Sequence, residues 1–238
     1  MTSKITIQFL GAAGTVTGSK YHIKTPEQNI MIDCGMFQGL KKLRLLNWEK
    51  IPIDVPSVDV VLLTHGHMDH TGYLPCLVKA GFKGQIIGSA PTLEIAEIIL
   101  KDSAKIQEED AERANKEKFT KHTPAKPLYD LKDVDKTLSL FEAKPKDEWI
   151  KLSDNISYRF RYNGHILGAT FIELDIFGKR FVFSGDVGRE NDLLMFPTER
   201  PERADVLFIE STYGNRLHPK EDSKEKLKKI VNDTFKKG

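Results

Sequence analysis

Seven consecutive residues, Thr64-His65-Gly66-His67-Met68-Asp69-His70, hold three imidazoles and a carboxylate, side chains that bind zinc through nitrogen and oxygen. They follow Val58-Asp59-Val60-Val61-Leu62-Leu63, a nearly continuous apolar run of the kind that forms a strand buried on both faces. The histidines therefore sit where a strand stops. In extended backbone His65 and His67 point to one side, as two ligands of one ion require, and Gly66 keeps the gap between them open. A tight turn after Met68 brings Asp69 and His70 to a neighbouring position, enough to begin a second site. Paired ions in hydrolases stand about 3.5–4 Å apart.

One short block cannot complete two coordination shells, so further ligands must come from elsewhere. Two places offer them: His165 in Asn163-Gly164-His165-Ile166-Leu167-Gly168-Ala169, and Asp186 in Ser184-Gly185-Asp186-Val187-Gly188-Arg189. His165 lies at a strand-to-turn break bracketed by glycines, and Asp186 directly after an apolar strand. Asp33, closing Ile30-Met31-Ile32, suits a carboxylate that holds a ligand histidine in one tautomer. The chemistry of such a set is hydrolysis. Zinc lowers the pKa of bound water, a metal-bridging hydroxide attacks carbon or phosphorus, the second ion steadies the developing charge, and Asp69 orients the water. No Ser-His-Asp or Gly-x-Ser-x-Gly arrangement competes, and the loop Gly11 to Gly18 lacks a Walker lysine.

The elements that must position these groups read as strands first: Ile5 to Leu10, Tyr21 to Lys24 and Asn29 to Asp33, with the small-residue loop Gly11 to Ser19 between. After the histidine block come a short helix, Tyr73 to Ala80, a strand, Gln85 to Ser89, and a long helical stretch from Pro91-Thr92 to about Phe119. The charged back half of that helix, Glu108 to Lys118, is expected to project into solvent. Strands return with Ser157 to Tyr162 and a hairpin, Phe171 to Phe177 and Arg180 to Ser184, turning at Gly178-Lys179. Asp205 to Glu210 reads as a strand. Lys220 to Lys237 reads as a Lys-rich helix whose apolar residues Leu227, Ile230, Val231 and Phe235 form one stripe with nothing to pack on. The order of strands, helices and strands suggests a layered α/β sandwich.

At 238 residues and 39% hydrophobic content the chain suits one sizeable α/β domain, or one domain plus a fragment of another. A net charge of +2 carries no global signature of a nucleic-acid binder, so any basic surface must be local. Cys34 and Cys76, without Cys-x-x-Cys spacing, read as small core residues in a reducing compartment. With no signal-peptide core and no transmembrane-length run, the expectation is a cytoplasmic protein with no membrane association.

The same motifs, in the same order, resemble the metallo-β-lactamase superfamily and, within it, the β-CASP branch of RNA-processing nucleases. The resemblance is carried by the Gly11 to Ser19 loop, Asp33-Cys34-Gly35, the His65 to His70 block, Asp102-Ser103-Ala104-Lys105-Ile106-Gln107-Glu108, and the His165 and Asp186 turns. Ile209-Glu210-Ser211-Thr212-Tyr213-Gly214-Asn215-Arg216 is similar to the acidic motif that leads into the β-CASP domain. The resemblance implies an αββα four-layer sandwich with its C-terminal part incomplete, residues 1–210 being the metallo-β-lactamase domain and 211–238 the start of the β-CASP domain. It implies His65, His67 and His165 on one zinc, Asp69 and His70 on the other, and Asp186 bridging. Glu210 would stand beside the site, tuning a histidine or the leaving-group proton; the plainer alternative is a strand-end carboxylate salt-bridged to Arg216.

The implied activity is a zinc-dependent ribonuclease acting on single-stranded RNA, with a homo-oligomer or a nuclease partner left open. The family's chain continues beyond the first β-CASP helix and supplies further histidines, so the second zinc site is expected to be incomplete and activity weak or absent. His218 is not expected to replace them. Two alternatives remain: a catalytically silent subunit that binds RNA or a partner, and a generic hydrolase of small esters or thioesters.

Overall fold

A computed structural model describes residues 4–118, 120–217 and 223–237. Strands β1 (Thr6–Gly11), β2 (Lys20–Lys24) and β3 (Asn29–Ile32) form an antiparallel meander. The chain then crosses through α1 (Lys41–Leu45) to β4 (Val60–Leu62), through α2 (Met68–Thr71) and α3 (Leu74–Lys79) to β5 (Gln85–Gly88), and through α4 (Ala90–Glu117) and α5 (Leu131–Leu138) to β6 (Phe141–Ala143). Strands β3 to β6 pair in parallel, completing a six-stranded sheet in sequence order. Crossover connections through helices are what parallel pairing requires. A second sheet, ordered β11-β10-β9-β8-β7, is built from β7 (Ile150–Lys151), β8 (Ile156–Tyr162), β9 (Thr170–Ile176), β10 (Lys179–Phe183) and β11 (Val206–Phe208). Helix α6 (Ser223–Phe235) closes the described chain.

Residue alternation divides the core in two. Met31, Val61, Leu63 and Ile86 face the helices, packing with Leu74, Leu77, Leu100 and Val134. Ile30, Ile32, Val60, Leu62 and Ile87 face the second sheet, meeting Tyr158, Phe160, Ile172, Leu174 and Phe183. The first sheet is thus buried on both faces, which is why β4 reads as an unbroken apolar run. Each fully buried side chain of this size stabilises the fold by about 1.5–3 kcal/mol.

The layers run helix, sheet, sheet, in keeping with the expected sandwich. On the far face of the second sheet, where the four-layer arrangement would place further helices, the described residues put charge instead. Arg159 pairs with the fully buried Glu173 at 2.6 Å, and Arg180 contacts Asp175 at 3.3 Å. The Trp149 ring lies 4.8 Å from the Arg159 guanidinium and 4.2 Å from that of Arg180.

The hairpin β9–β10 turns where expected, with Phe177 and Gly178 both at positive φ. Helix α4 begins one residue earlier than expected, with Ser89 accepting the Thr92 amide as its N-cap. Phe119, its expected end, lies outside the described residues, as do His218 and Lys220. The charged back half is not free-standing. Ala114 is buried, and the Asn115 amide exchanges two hydrogen bonds with the Ala125 backbone at 3.0 and 2.7 Å. In α6 the apolar stripe is present and buries none of its residues. Both cysteines are free and buried. No helix among the described residues is long and apolar enough to cross a membrane.

Candidate metal centre

The parallel pair β3–β4 ends with two residues locked together. Asp33, at φ +57°, accepts hydrogen bonds from the Thr64 amide and the Thr64 hydroxyl, both at 2.8 Å. The left-handed backbone at Asp33 is what aims its carboxylate across to the neighbouring strand end. Beyond Thr64, His67 is the N-cap residue of α2, so the block leaves extended backbone and enters a helical turn between His67 and Met68. Gly35 must be a glycine because a Cβ there would sit 1.6 Å from the Asp69 carbonyl oxygen. A Cβ at Gly66 would come within 2.7 Å of the Ile95 side chain, so that glycine serves the approach of α4 as well as the gap between imidazoles.

His65, fully buried, and His67 bring Nε2 and Nδ1 to 3.1 Å of each other. His165 arrives from the turn after β8, its Nε2 3.2 Å from the same His67 Nδ1. Asp186, from the turn after β10, places Oδ2 3.8 Å from His65 Nε2 and 3.5 Å from His165 Nε2. These four ligand atoms lie within 4.8 Å of one another. A tetrahedral ion with metal–nitrogen bonds of about 2.0–2.1 Å sets its ligands roughly 3.3–3.4 Å apart. The observed nitrogen separations match that edge, so the three imidazoles and one carboxylate fit a divalent ion.

The opposite oxygen of Asp186, Oδ1, lies 3.2 Å from His70 Nε2, and His70 Nδ1 lies 2.8 Å from Asp33. Asp186 therefore stands between the His65–His67–His165 group on one side and His70 on the other. The cleft on the His70 side is lined by Val16, Asp33, Thr64, Asp186 and Glu210. The Asp69 carboxylate falls outside the four converging ligand atoms; its backbone carbonyl is held by the Ser19 amide at 2.8 Å.

The electrostatics separate the imidazoles. Burial, then the facing His70, His165 and His67, push His65 well below the usual histidine range. His67 is lowered by burial and by His165, with Asp69 and Asp186 pulling the other way. Neutral imidazoles are the metal-binding form. For His70 burial also disfavours charge, but Asp33 and Asp186 outweigh it and raise its proton affinity. Asp186 is lowered despite burial, because His70, His165 and His67 face it.

Glu210 sits at this cleft, where its carboxylate accepts the Val187 amide at 2.6 Å, one residue after Asp186. Two further residues matter that the motif reading passed over. Asn163, fully buried, donates to the carbonyls of Ser184 and Asp186 at 3.0 and 2.8 Å, tying the His165 turn to the Asp186 turn. Thr64 receives His65 Nδ1 at 3.1 Å while donating to Asp33. An Asn before a glycine at a strand end is a recognisable turn signal, though nothing local tells which distant carbonyls it will meet.

Comparison with known proteins places these features. A 230-residue stretch is 34% identical to Ribonuclease TTHA0252 of Thermus thermophilus, covering 96% of this chain and 48% of that protein. The Endoribonuclease ysh1 of Schizosaccharomyces pombe is 30% identical over 235 residues, 96% of this chain and 29% of its own length. Transcription termination factor FttA of Methanocaldococcus jannaschii is 27% identical over 243 residues, 98% and 36% respectively. The chain thus spans about half the length of the first relative and less of the others. The sequence profile of the metallo-beta-lactamase superfamily matches residues 14–234, nearly the whole chain, and the chain belongs to that superfamily.

Proposed function

We propose that this chain carries the metal-binding part of a zinc-dependent hydrolase that cleaves phosphodiester bonds of single-stranded RNA. The observation that carries the reading is the convergence of His65 Nε2, His67 Nδ1, His165 Nε2 and Asp186 Oδ2, taken with relatives named as ribonucleases and endoribonucleases. His65, His67 and His165 would hold one zinc, Asp69 and His70 a second, with Asp186 offering one oxygen to each side. When bound, zinc supplies a Lewis acid that polarises a phosphoryl oxygen and acidifies water.

The chain's own residues prepare that chemistry. The Thr64 hydroxyl donates to Asp33, so the 3.1 Å contact with His65 is an Nδ1–H donated to Thr64, leaving His65 Nε2 free of a proton. Asp33 accepts the Nδ1 proton of His70 and turns His70 Nε2 toward Asp186. Asn163 fixes the separation of the His165 and Asp186 turns. Glu210 braces the Asp186 loop through the Val187 amide and adds negative charge at the cleft.

Zinc analysis and cleavage of labelled single-stranded RNA, on this chain and on Asp69→Ala and His165→Ala, test the reading. Bound zinc with cleavage, even weak, that is lost in Asp69→Ala supports the reading. Zinc binding without cleavage would favour a silent RNA- or partner-binding subunit. Turnover of small esters without RNA cleavage would favour a generic hydrolase.

A further inference from the structure

From Cys34 to Trp48 the chain contains no acidic side chain, and its only charges are Lys41, Lys42 and Arg44. Helix α1 carries all three and buries none of its residues. A short turn, Leu46–Trp48, follows and presents the Trp48 indole at 62% exposure, next to the exposed Leu45. Among the described residues, Lys41, Lys42 and Arg44 have no ion-pair partner. In the back half of α4, by contrast, Glu108, Glu109, Asp110, Glu112 and Glu117 accompany the basic residues. It is a local basic surface of the kind that a net charge of +2 conceals.

The segment is rigidly mounted and close to the cleft. Asn47, buried, exchanges hydrogen bonds with the Phe37 amide and carbonyl at 2.9 and 2.8 Å. The Gln38 amide donates to the Thr17 hydroxyl at 2.9 Å. Thr17 adjoins Val16, which lines the cleft together with His70, Asp186 and Glu210. Thr17 thus joins the loop beside the cleft to the segment that leads into α1. Proteins that grip single strands combine cations that follow the phosphates with aromatic faces on which bases stack. The segment supplies both kinds of group, with Trp48 at the edge of a groove that it shares with Gln107, Asp110 and Arg113 of α4. A five-residue helix is too short to present the apolar face of a membrane-surface helix, so the charge complement of a polyanion is the better match.

We propose that Lys41, Lys42, Arg44 and Trp48 form a track that holds single-stranded RNA on its way out of the metal cleft, the cations on phosphates and the indole beneath a base. The proposal rests on the ribonuclease reading above. The test measures anisotropy of a fluorescein-labelled oligouridylate on metal-stripped protein across a salt series, so that binding is read without cleavage. A Lys41→Ala/Lys42→Ala/Arg44→Ala variant is expected to bind more weakly and to lose about 2 from the slope of log affinity against log salt, at roughly 0.7 per phosphate contact. Trp48→Ala is expected to weaken binding roughly tenfold with the slope unchanged. Unchanged melting and zinc content show that both variants keep their fold.

Affinity and slope equal to the parent in both variants would overturn the track. So would a parent that ignores the oligonucleotide but binds vesicles of anionic phospholipid. Turnover of bis-para-nitrophenyl phosphate is measured separately, and the triple variant is expected to retain the parent's rate. A parent without turnover whose RNA binding still depends on these residues would sink the nuclease reading and leave the track standing.

Discussion

Asp33 and His70 meet at 2.8 Å, carboxylate to Nδ1, although 37 residues separate them in sequence. The contact is possible because β3 and β4 are parallel neighbours and end level with each other, so the residue after β3 reaches the turn after β4. With Thr64 donating to the same carboxylate twice, one side chain fixes the strand ends and the orientation of an imidazole.

Asp33→Asn keeps the size of the side chain and removes its charge. Losing such an outer partner weakens metal binding by about 10- to 100-fold. The loss is expected at the proposed site on His70, more than at the proposed site on His65, His67 and His165. Competition titration with a chromogenic chelator resolves the two, and equal weakening of both would contradict the assignment.

Lys20 gives a pH-dependent prediction away from the centre. Its ammonium is buried, donates to the Gly35 carbonyl and lies 4.2 Å from the Phe37 ring centre. Burial lowers its pKa to about 8, against a small opposing pull from Cys34 and Cys76. Between that value and the ordinary lysine pKa near 10.5 the unfolded chain holds a proton that the folded chain has released. Stability from this group therefore rises with pH over that window. Lys20→Met is expected to stabilise the protein at pH 7 by about 1–3 kcal/mol and to flatten the rise above pH 8. Urea denaturation at neutral and alkaline pH compares the two chains, and a less stable variant at pH 7 would show that the Gly35 and Phe37 contacts outweigh the burial cost.

Asn163→Ala removes two buried hydrogen bonds and leaves the Ser184 and Asp186 carbonyls without that donor. The expected cost is about 2–4 kcal/mol, from the lost bonds and the stranded acceptors. Denaturation of the metal-free chain reads the stability. Zinc affinity should fall with it, because the His165 and Asp186 turns lose their common tie.

Glu210 separates by charge against shape. Glu210→Gln retains an acceptor for the Val187 amide, whereas Glu210→Ala does not. If the carboxylate only braces the Asp186 loop, Gln preserves zinc affinity and cleavage while Ala lowers both. If its charge or its proton takes part in cleavage, Gln lowers the rate with zinc affinity unchanged. Rate and affinity measured on both variants decide between the two roles.

What was legible in the sequence was local. The His65 to His70 block announces itself by residue type at a strand end, and His165 and Asp186 by the glycines of the turns that end their strands. The αβ layering followed from the order of strands, helices and strands again along the chain. What escaped was either short or relational. Strand β6, three residues long, is too brief to show a period. Helix α5 buries only Val134 and Thr137, although its Asp130–Asp133 capping box was there to be read. Asn163 and Thr64 act through backbone groups or side chains supplied by other strands, and no local pattern reports that.

His65, His67 and His70 hang from the rim of the first sheet, whereas His165 and Asp186 hang from the rim of the second. The centre is therefore a clasp across the seam of the sandwich. Anything that lets the two sheets slide would open it, and an ion held there would resist such sliding in return. Mutations deep in the seam, far from any ligand, would then register as lost metal before they registered as lost fold. The docking of the whole sandwich is thereby tied to the integrity of one small site.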